Sequence, residues 1–302
     1  MPQYRLDSAL EVRDPSLYRP AFPSCPDLAM PSSVALPRRH WFEMTTEEFR
    51  TSDTSSWIAV LPIAAVEQHG PHLPVGVDSM IMQGYLDRAI PLIPADIPAT
   101  FLPIQMIGKS NEHLEYPGTI SLSAETVLRA WVEIGESVHR AGVKKLLIVN
   151  SHGGNMAVMD IVARELRVRH GMLVAFTSWH MFGYPKGAFA EDEMRLGIHA
   201  GEVETALMLE FRPELVHMDR ARDFRPVTYE MEQTFKYLRT GRPGGFGWMA
   251  QDIRPEGAAG DASKATREHG AQSAEFGAQA FVDLLRDVRD FDLSRLRKGP
   301  LG

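Results

Sequence analysis

Two carboxylates and two imidazoles fall within twelve positions in EQHGPHLPVGVD (67–78), directly behind an apolar run, WIAVLPIAAV (57–66). A buried strand ordinarily ends in turn residues, so this concentration of titratable groups asks for a chemical reason. Glu67 and His69 are two apart at a strand end, and their side chains can project to the same side. Asp78 follows a loop containing glycine and proline and falls where the next helix begins. A loop of that length can fold back and bring its carboxylate beside the other two. One imidazole and two carboxylates form a ligand set suited to Zn²⁺ or Mn²⁺, and an aspartate can bridge two ions through its two oxygens. The alternative is a solvated loop whose acids and histidines face water.

That alternative must also account for three further polar clusters. NSHGGN (150–155) follows the apolar run KKLLIV and places His152 beyond a strand end, with two glycines that let backbone approach a ligand closely. It has neither a GxGxxG pattern nor a lysine-bearing phosphate loop, so a phosphate-binding turn is disfavoured. GKSNEHLEYPGTISLS (108–123) follows ATFLPIQMI and offers Ser110, Asn111, Glu112 and His113. HAGEVET (199–205) contributes His199, Glu202 and Glu204; read alone, it is an ordinary helix start with acids near the positive end of the dipole. Four such clusters at corresponding strand ends favour a site over chance solvation.

The elements that must position these groups alternate along the chain. Runs at 57–66, 99–107, 144–150 and 172–178 are apolar on consecutive positions, the pattern of strands buried on both faces of a parallel sheet. Helical stretches lie between and after them, near 78–90, 124–141, 154–169, 199–211 and 263–288, the second opening at Ser123. The alternation predicts an α/β single domain with a largely parallel sheet flanked by helices, whose ligands bind beyond the carboxyl ends of the strands. Residues 225–260 are glycine-rich and irregular, as a loop over a site would be. Residues 1–40 are proline-rich and aperiodic and read as an extended arm, leaving 41–302 as the domain; the arm's apolar content predicts packing on the body or on a neighbouring subunit.

Composition narrows the function. A net charge of −7 with scattered positive residues argues against nucleic acid and against a basic membrane-binding face. One cysteine, Cys25, excludes an internal disulfide framework and suits a reducing compartment. No uncharged apolar run approaches the length needed to span a bilayer, and the first twenty residues lack the basic-then-apolar order of a secretory signal. A soluble cytoplasmic protein is expected.

EQHGPHLPVGVD, EHLEYPGTISL, NSHGGN, HAGEVETALML and GWMAQDIRPEGAAGDASKAT, spread in order from about residue 55 to 270, together resemble the creatininase (creatinine amidohydrolase) family. The resemblance implies an α/β metal-dependent hydrolase that assembles as a homo-oligomer, a hexamer, and holds one or two divalent ions (Zn²⁺, Mn²⁺ or Fe²⁺). It implies Glu67, His69, Asp78 and His152 as metal ligands, Asp78 as the bridge, and His199 as a catalytic histidine. Creatininase itself carries a glutamate where this chain has Gly154, so creatinine is disfavoured as substrate and the second metal must be completed differently. Glu204 is the candidate replacement, against a simple helix-face acid.

The chemistry expected is hydrolysis of a C–N amide bond by metal-activated water, with His199 giving a proton to the departing nitrogen and Glu112 as general base. Ser110 and His113 are expected to touch substrate. Trp179, Phe182 and Trp248 either wall a flat substrate or are ordinary core aromatics. Only Lys109 and Arg195 are basic residues convenient to the site, which favours a small cyclic amide or N-acyl compound over a phosphorylated formamide or a peptide precursor. From another class, a metal-holding protein without turnover remains the alternative.

Overall fold

Leucine, isoleucine and valine on consecutive positions bury both faces of a strand, and the central sheet is built this way. The computed structural model describes residues 37–299. In chain order the elements are α1 (Thr46–Thr51), β1 (Ile58–Ile63), α2 (Val77–Leu92), β2 (Ala99–Phe101), α3 (Ala124–Arg140), β3 (Lys145–Asn150) and α4 (Met156–His170). They continue with β4 (Leu173–Ser178), α5 (Glu191–Leu196), α6 (Glu202–Phe211), β5 (Asp223–Phe224), α7 (Thr228–Thr234), α8 (Ala250–Ile253), β6 (Gly260–Asp261) and α9 (Arg267–Asp290). The main sheet has the order β2-β1-β3-β4, with every pairing parallel. β5 and β6 form a separate antiparallel pair.

Alternate residues of β1 and β3 feed opposite cores. Ile58, Val60, Leu147 and Val149 pack with residues of α2, α6 and α9, among them Met82, Tyr85, Leu207 and Phe281. Ala59, Leu61, Leu146 and Ile148 pack with Trp131 of α3 and Val158, Val162 and Leu166 of α4. Each buried leucine, valine or phenylalanine contributes roughly 1.5–3 kcal/mol relative to exposure. The fold is thus an α/β single domain with helices on both faces of a parallel sheet. α6 and α9 approach so closely that a Cβ at Gly270 would run into the Ala206 carbonyl.

Element limits depart from the expected ones for local reasons. The run 99–107 is a strand only to Phe101; Pro103 cannot donate to a ladder, and the chain rejoins the sheet through a single bridge between Gln105 and Ile63. β4 is an edge strand rather than one buried on both faces, and Phe176 is 43% exposed. α6 begins at Glu202 and not at 199, because Ala200 adopts a left-handed φ of 51°. The irregular 225–260 segment contains two short helices, α7 and α8. Of the expected arm, residues 1–36 lie outside the described residues. At its end, the Arg39 guanidinium donates to the carbonyls of Ile97 (2.8 Å) and Pro94 (2.9 Å), and His40 bridges to Phe101.

Because the strands are parallel, β1 and β3 deliver their carboxyl ends side by side. Asn155 stitches them together. Its amide donates to the Ala64 carbonyl (3.0 Å) and to Asn150 Oδ1 (3.2 Å), and its Oδ1 accepts from the Lys109 N–H (3.0 Å).

At the opposite end of the sheet, the buried Lys145 ammonium donates to the carbonyls of Val288 (2.8 Å), Arg289 (2.6 Å) and Phe291 (2.9 Å) at the C-terminus of α9. These carbonyls have no other way to be satisfied by the helix. Lys145→Met should lower the unfolding free energy by roughly 2 kcal/mol in denaturant titration while leaving ion binding at the far end of β3 unchanged. A loss below about 0.5 kcal/mol would contradict this reading.

Candidate metal centre

Four segments converge at the carboxyl end of the sheet: 64–78 after β1, 108–113 after β2, 150–155 after β3, and the strap 197–201 leading into α6. They bring Glu67, His69, Asp78, His152, His199 and Glu204 together. Two ligand sets form, each with donor atoms within 4.8 Å of one another: Glu67, Asp78 and His152, and His69, Asp78 and Glu204. Asp78 is common to both, and it divides its oxygens between them. Oδ2 lies 3.3 Å from His152 Nδ1, and Oδ1 lies 3.5 Å from His69 Nε2. A third set joins Glu67, His69 and His199.

Backbone carbonyls settle which nitrogen of each imidazole faces inward. A carbonyl only accepts, so the nitrogen beside it must carry the proton. His152 Nε2 donates to the Lys109 carbonyl (2.9 Å), His69 Nδ1 to the Glu67 carbonyl (2.9 Å), and His199 Nε2 to the Gln68 carbonyl (2.7 Å). The opposite nitrogens therefore turn lone pairs toward carboxylates: His152 Nδ1 toward Glu67 Oε2 at 3.1 Å, and His199 Nδ1 toward Glu67 Oε1 at 3.5 Å. Lone pair against carboxylate is repulsive unless a cation or a second proton stands between them. His69 Nε2 and Asp78 Oδ2 are buried without a hydrogen-bond partner, and such orphaned polar atoms call for a cation between them. The donor set and the tautomers fit one or two divalent ions, with Zn²⁺ and Mn²⁺ matching the mixed nitrogen and carboxylate ligands.

The electrostatics agree. Burial opposes the charged form of Glu67, yet the imidazoles of His152, His199 and His113 outweigh it and hold the carboxyl well below the usual range. Burial also works against protonating His69, but Asp78, then Glu204 and Glu67, raise it to about 9. Burial first, with the charges of Asp78 and Glu67 behind it, pushes Glu204 up to about 7. Without an ion, protons fill the gaps a cation would fill. His199 goes the other way: burial, then His69 and His113, hold it well below the ordinary imidazole range, so it is neutral. Its ring lies between those of His69 and His113, at centroid distances of 4.2 and 4.5 Å.

Other expected site residues land elsewhere. Ser110 is wholly buried, donates to Glu67 Oε2 and so orients that carboxylate, and it is not among the residues lining the cavity described below. His113 accepts from the Gln68 amide (2.8 Å) and faces Glu67 Oε1 at 3.5 Å, again behind the cluster. Glu112 sits on the outer side of His152, 3.7 Å from Nε2, and is paired to Lys109 at 2.9 Å. Its carboxylate fills the space that a side chain at Gly154 would enter. Trp179 is a core residue: its ring stacks on Tyr85 at 4.2 Å and packs on Phe281 at 5.1 Å. Phe182 packs behind it, and Trp248 donates to the Thr240 carbonyl (2.8 Å) without lining the cavity described next. The second imidazole of the first motif, His72, is structural: its Nε2 meets Thr205 Oγ1 at 2.9 Å and its ring stacks on Phe224.

Sequence reading missed Gln68, although it stands between Glu67 and His69 in the motif. Its side-chain oxygen accepts from the Gly70 N–H (2.9 Å) and its amide donates to the Gly257 carbonyl (2.9 Å), tying the first motif to the 257–260 turn. From His199 and Glu204 a cavity of about 630 Å³ opens outward, lined among others by Tyr184, Met194, Ile198, Val203, Arg239 and Arg242. Another cavity, of about 700 Å³, lies between α2 and α6 beside Met80, Met106 and Phe211; it contains no ligand-set residue and is no candidate for the chemistry.

If Asp78 serves both sets, Asp78→Ala should release every bound ion in elemental analysis, whereas Glu204→Ala should release about half; equal retention in both would argue for one ion. Uptake must also follow pH in a set direction. The protonated His69 stabilises the metal-free fold below the unfolded imidazole value of roughly 6.5, and this contribution is lost as pH rises through about 9. An ion has to displace that proton. Mn²⁺ affinity should therefore climb from pH 6.5 toward pH 9, and an affinity flat over that interval would contradict the assignment.

A family profile described as creatinine amidohydrolase (Creatininase) matches residues 42–285. The chain is 27% identical over 264 residues to a creatinine amidohydrolase of Pseudomonas putida, covering 81% of this chain and 95% of that one. It is 30% identical over 262 residues to a mycofactocin precursor peptide peptidase of Mycobacterium ulcerans, covering 82% and 89%. A solved structure named Creatininase Mn superposes with a TM-score of 0.63 at 25% identity, covering 83% of this chain and 98% of that one. By sequence match over most of its length and by fold, the chain belongs to the creatininase family.

Proposed function

We propose that this protein is a divalent-metal-dependent amidohydrolase that cleaves the C–N bond of a small cyclic amide or N-acyl compound. The relatives named above are an amidohydrolase and a peptidase, which supports hydrolysis at a C–N bond. The observation that carries the reading is His199, which lines the cavity beside two ligand sets that share Asp78 and turns its Nδ1 toward Glu67. A metal-holding protein without turnover has no use for such a base.

When bound, a divalent ion supplies a water acidified toward a pKa of ~7 and polarises the amide carbonyl. Glu67, Asp78 and His152 would hold one ion, and His69, Asp78 and Glu204 a second; Zn²⁺, Mn²⁺ and Fe²⁺ all suit these ligands. His199 begins neutral, so Nδ1 takes a proton as the water attacks and then delivers it to the departing nitrogen, which is otherwise a very poor leaving group. The Gln68 carbonyl keeps Nε2–H fixed during this transfer, and Glu67 stabilises the imidazolium that forms. This gives His199 the proton-accepting role expected of Glu112, which lies behind His152 and is tied to Lys109.

A second reading, cleavage of a peptide, has its own support. Lys109 is paired with Glu112, and Arg195 with Glu232 and Asp192. Two further guanidiniums line the cavity, however. Arg239 is engaged by the carbonyls of Phe235 and Leu238, both at 2.7 Å, whereas Arg242 has no ion-pair partner among the described residues and can receive a substrate carboxylate. Hydrolysis of a cyclic imide and a formamide but not of short peptides by the Mn²⁺-loaded protein supports the first reading; the reverse pattern supports the second.

His199→Ala should keep its ions and lose roughly two to four orders of magnitude in kcat. The loss should shrink for a nitrophenyl ester, whose leaving group needs no proton. Loss of ions instead would place His199 in the ligand shell. We further propose assembly as a homo-oligomer, a hexamer, supported by the exposed apolar side chains of Met106, Leu114 and Ile120. Light scattering should return six times the chain mass of 33.7 kDa, and a monomer mass would exclude it.

A further inference from the structure

The strap 197–201 carries His199 into the site and ends where α6 presents Glu204, yet it has little intrinsic reason to hold its shape. Ala200 is left-handed, at a cost of about 1 kcal/mol for a residue with a Cβ. What restrains the strap comes from outside it. On one side a short antiparallel pairing holds it: the Ile198 N–H donates to the Ala259 carbonyl (2.7 Å), and the Ala259 N–H donates to the His199 carbonyl (2.7 Å). On the other side stands Glu193 of α5, a buried carboxylate with no cationic partner among the described residues.

Both Glu193 oxygens are used on backbone. Oε1 accepts from the Glu202 N–H at 2.8 Å, the first turn of α6, and Oε2 accepts from the Asp261 N–H at 2.9 Å, in β6. The Glu193 carbonyl accepts from the Gly197 N–H at 2.8 Å, where the strap begins. The segment 259–261, whose Ala259 pairs with His199, and the helix that carries Glu204 are therefore clamped to one another through a single side chain. The fit is close: a Cβ at Gly201 or at Gly260 would strike the Glu193 carboxylate. A buried carboxylate is costly, and burial raises the Glu193 pKa; the two backbone N–H groups that it satisfies offset that cost.

We propose that Glu193 is a positioning residue, gripping the Glu202 and Asp261 N–H groups so that the strap sets His199 and α6 sets Glu204 against the ligand cluster. It acts through these two residues and belongs to none of the ligand sets, although it borders the cavity. The inference rests on the metal-centre reading above and deepens it, because the two ligand sets depend on Glu193 unequally. Glu67, Asp78 and His152 are delivered by β1, α2 and β3. Glu204 alone among the carboxylates is delivered by the clamped helix.

The test is Mn²⁺ titration of metal-free protein by calorimetry, on the full chain and on Glu193→Gln. The glutamine keeps one acceptor oxygen and the side-chain shape but turns an N–H₂ against the other backbone N–H. The variant should keep one Mn²⁺ at unchanged affinity and weaken the other at least tenfold. The rise in Tm on adding Mn²⁺ should shrink accordingly, since binding stabilises only as far as the ion binds. Retention of both ions at wild-type affinity, with a Tm lowered equally in Mn²⁺ and in chelator, would show a purely structural residue and overturn the inference while leaving the metal-centre reading intact. A wild-type chain that takes up no Mn²⁺ would overturn both. Should Glu193→Gln not fold, Glu193→Asp keeps the charge, shortens the reach by one methylene, and is read by the same two outcomes.

Discussion

The site is organised by three imidazoles whose protons are taken by backbone carbonyls, so that their lone pairs turn inward onto carboxylates. His152, His69 and His199 each give one N–H to a main-chain oxygen, those of Lys109, Glu67 and Gln68. The remaining nitrogens face Glu67, Asp78 and Glu204 across distances at which repulsion must be relieved. A divalent ion relieves it directly. The raised pKa of His69 and the lowered pKa of Glu67 both reflect imidazoles and carboxylates packed together, where positive charge beside the carboxylates is favoured.

Much of the fold exists to bring those carbonyls and side chains to one edge. The parallel sheet sets the ends of β1 and β3 side by side, and Asn155 cross-links them to the Gly108–Lys109 turn. The strap before α6 arrives from the other direction and is shaped by contacts to 259–261 and to Glu193. The strand ends are fixed by the core on both faces of the sheet. The strap rests on a few hydrogen bonds between loops, which makes it the part of the site most open to perturbation.

The sequence made the sheet, the helices and the convergence of imidazoles and carboxylates legible because each has a local signature. Consecutive apolar residues mark β1 and β3, and Glu67, His69, Asp78, His152 and Glu204 lie in short motifs whose spacing relates directly to strand ends. What it did not show depends on contacts between distant segments. Glu193 lies in an unremarkable acidic helix and meets Glu202 and Asp261 only through the fold. Trp179 follows a strand as a substrate wall would, but its ring turns inward onto Tyr85. Ser110 and His113 sit in a motif on the correct side of the sheet, and only their burial shows that they hold Glu67 in place. Glu112 is close to His152, but at its Nε2 edge, whereas Asp78 meets Nδ1, a distinction that residue spacing does not encode.

Shared by two candidate ligand sets, Asp78 would lie between two cation positions. Anomalous diffraction from crystals of Mn²⁺-loaded protein, recorded near the manganese edge, tests it directly. Two peaks are expected roughly 3.5–4 Å apart, one beside Glu67 and His152, the other beside His69 and Glu204, with one Asp78 oxygen on each. A single peak, or peaks remote from Asp78, would contradict it.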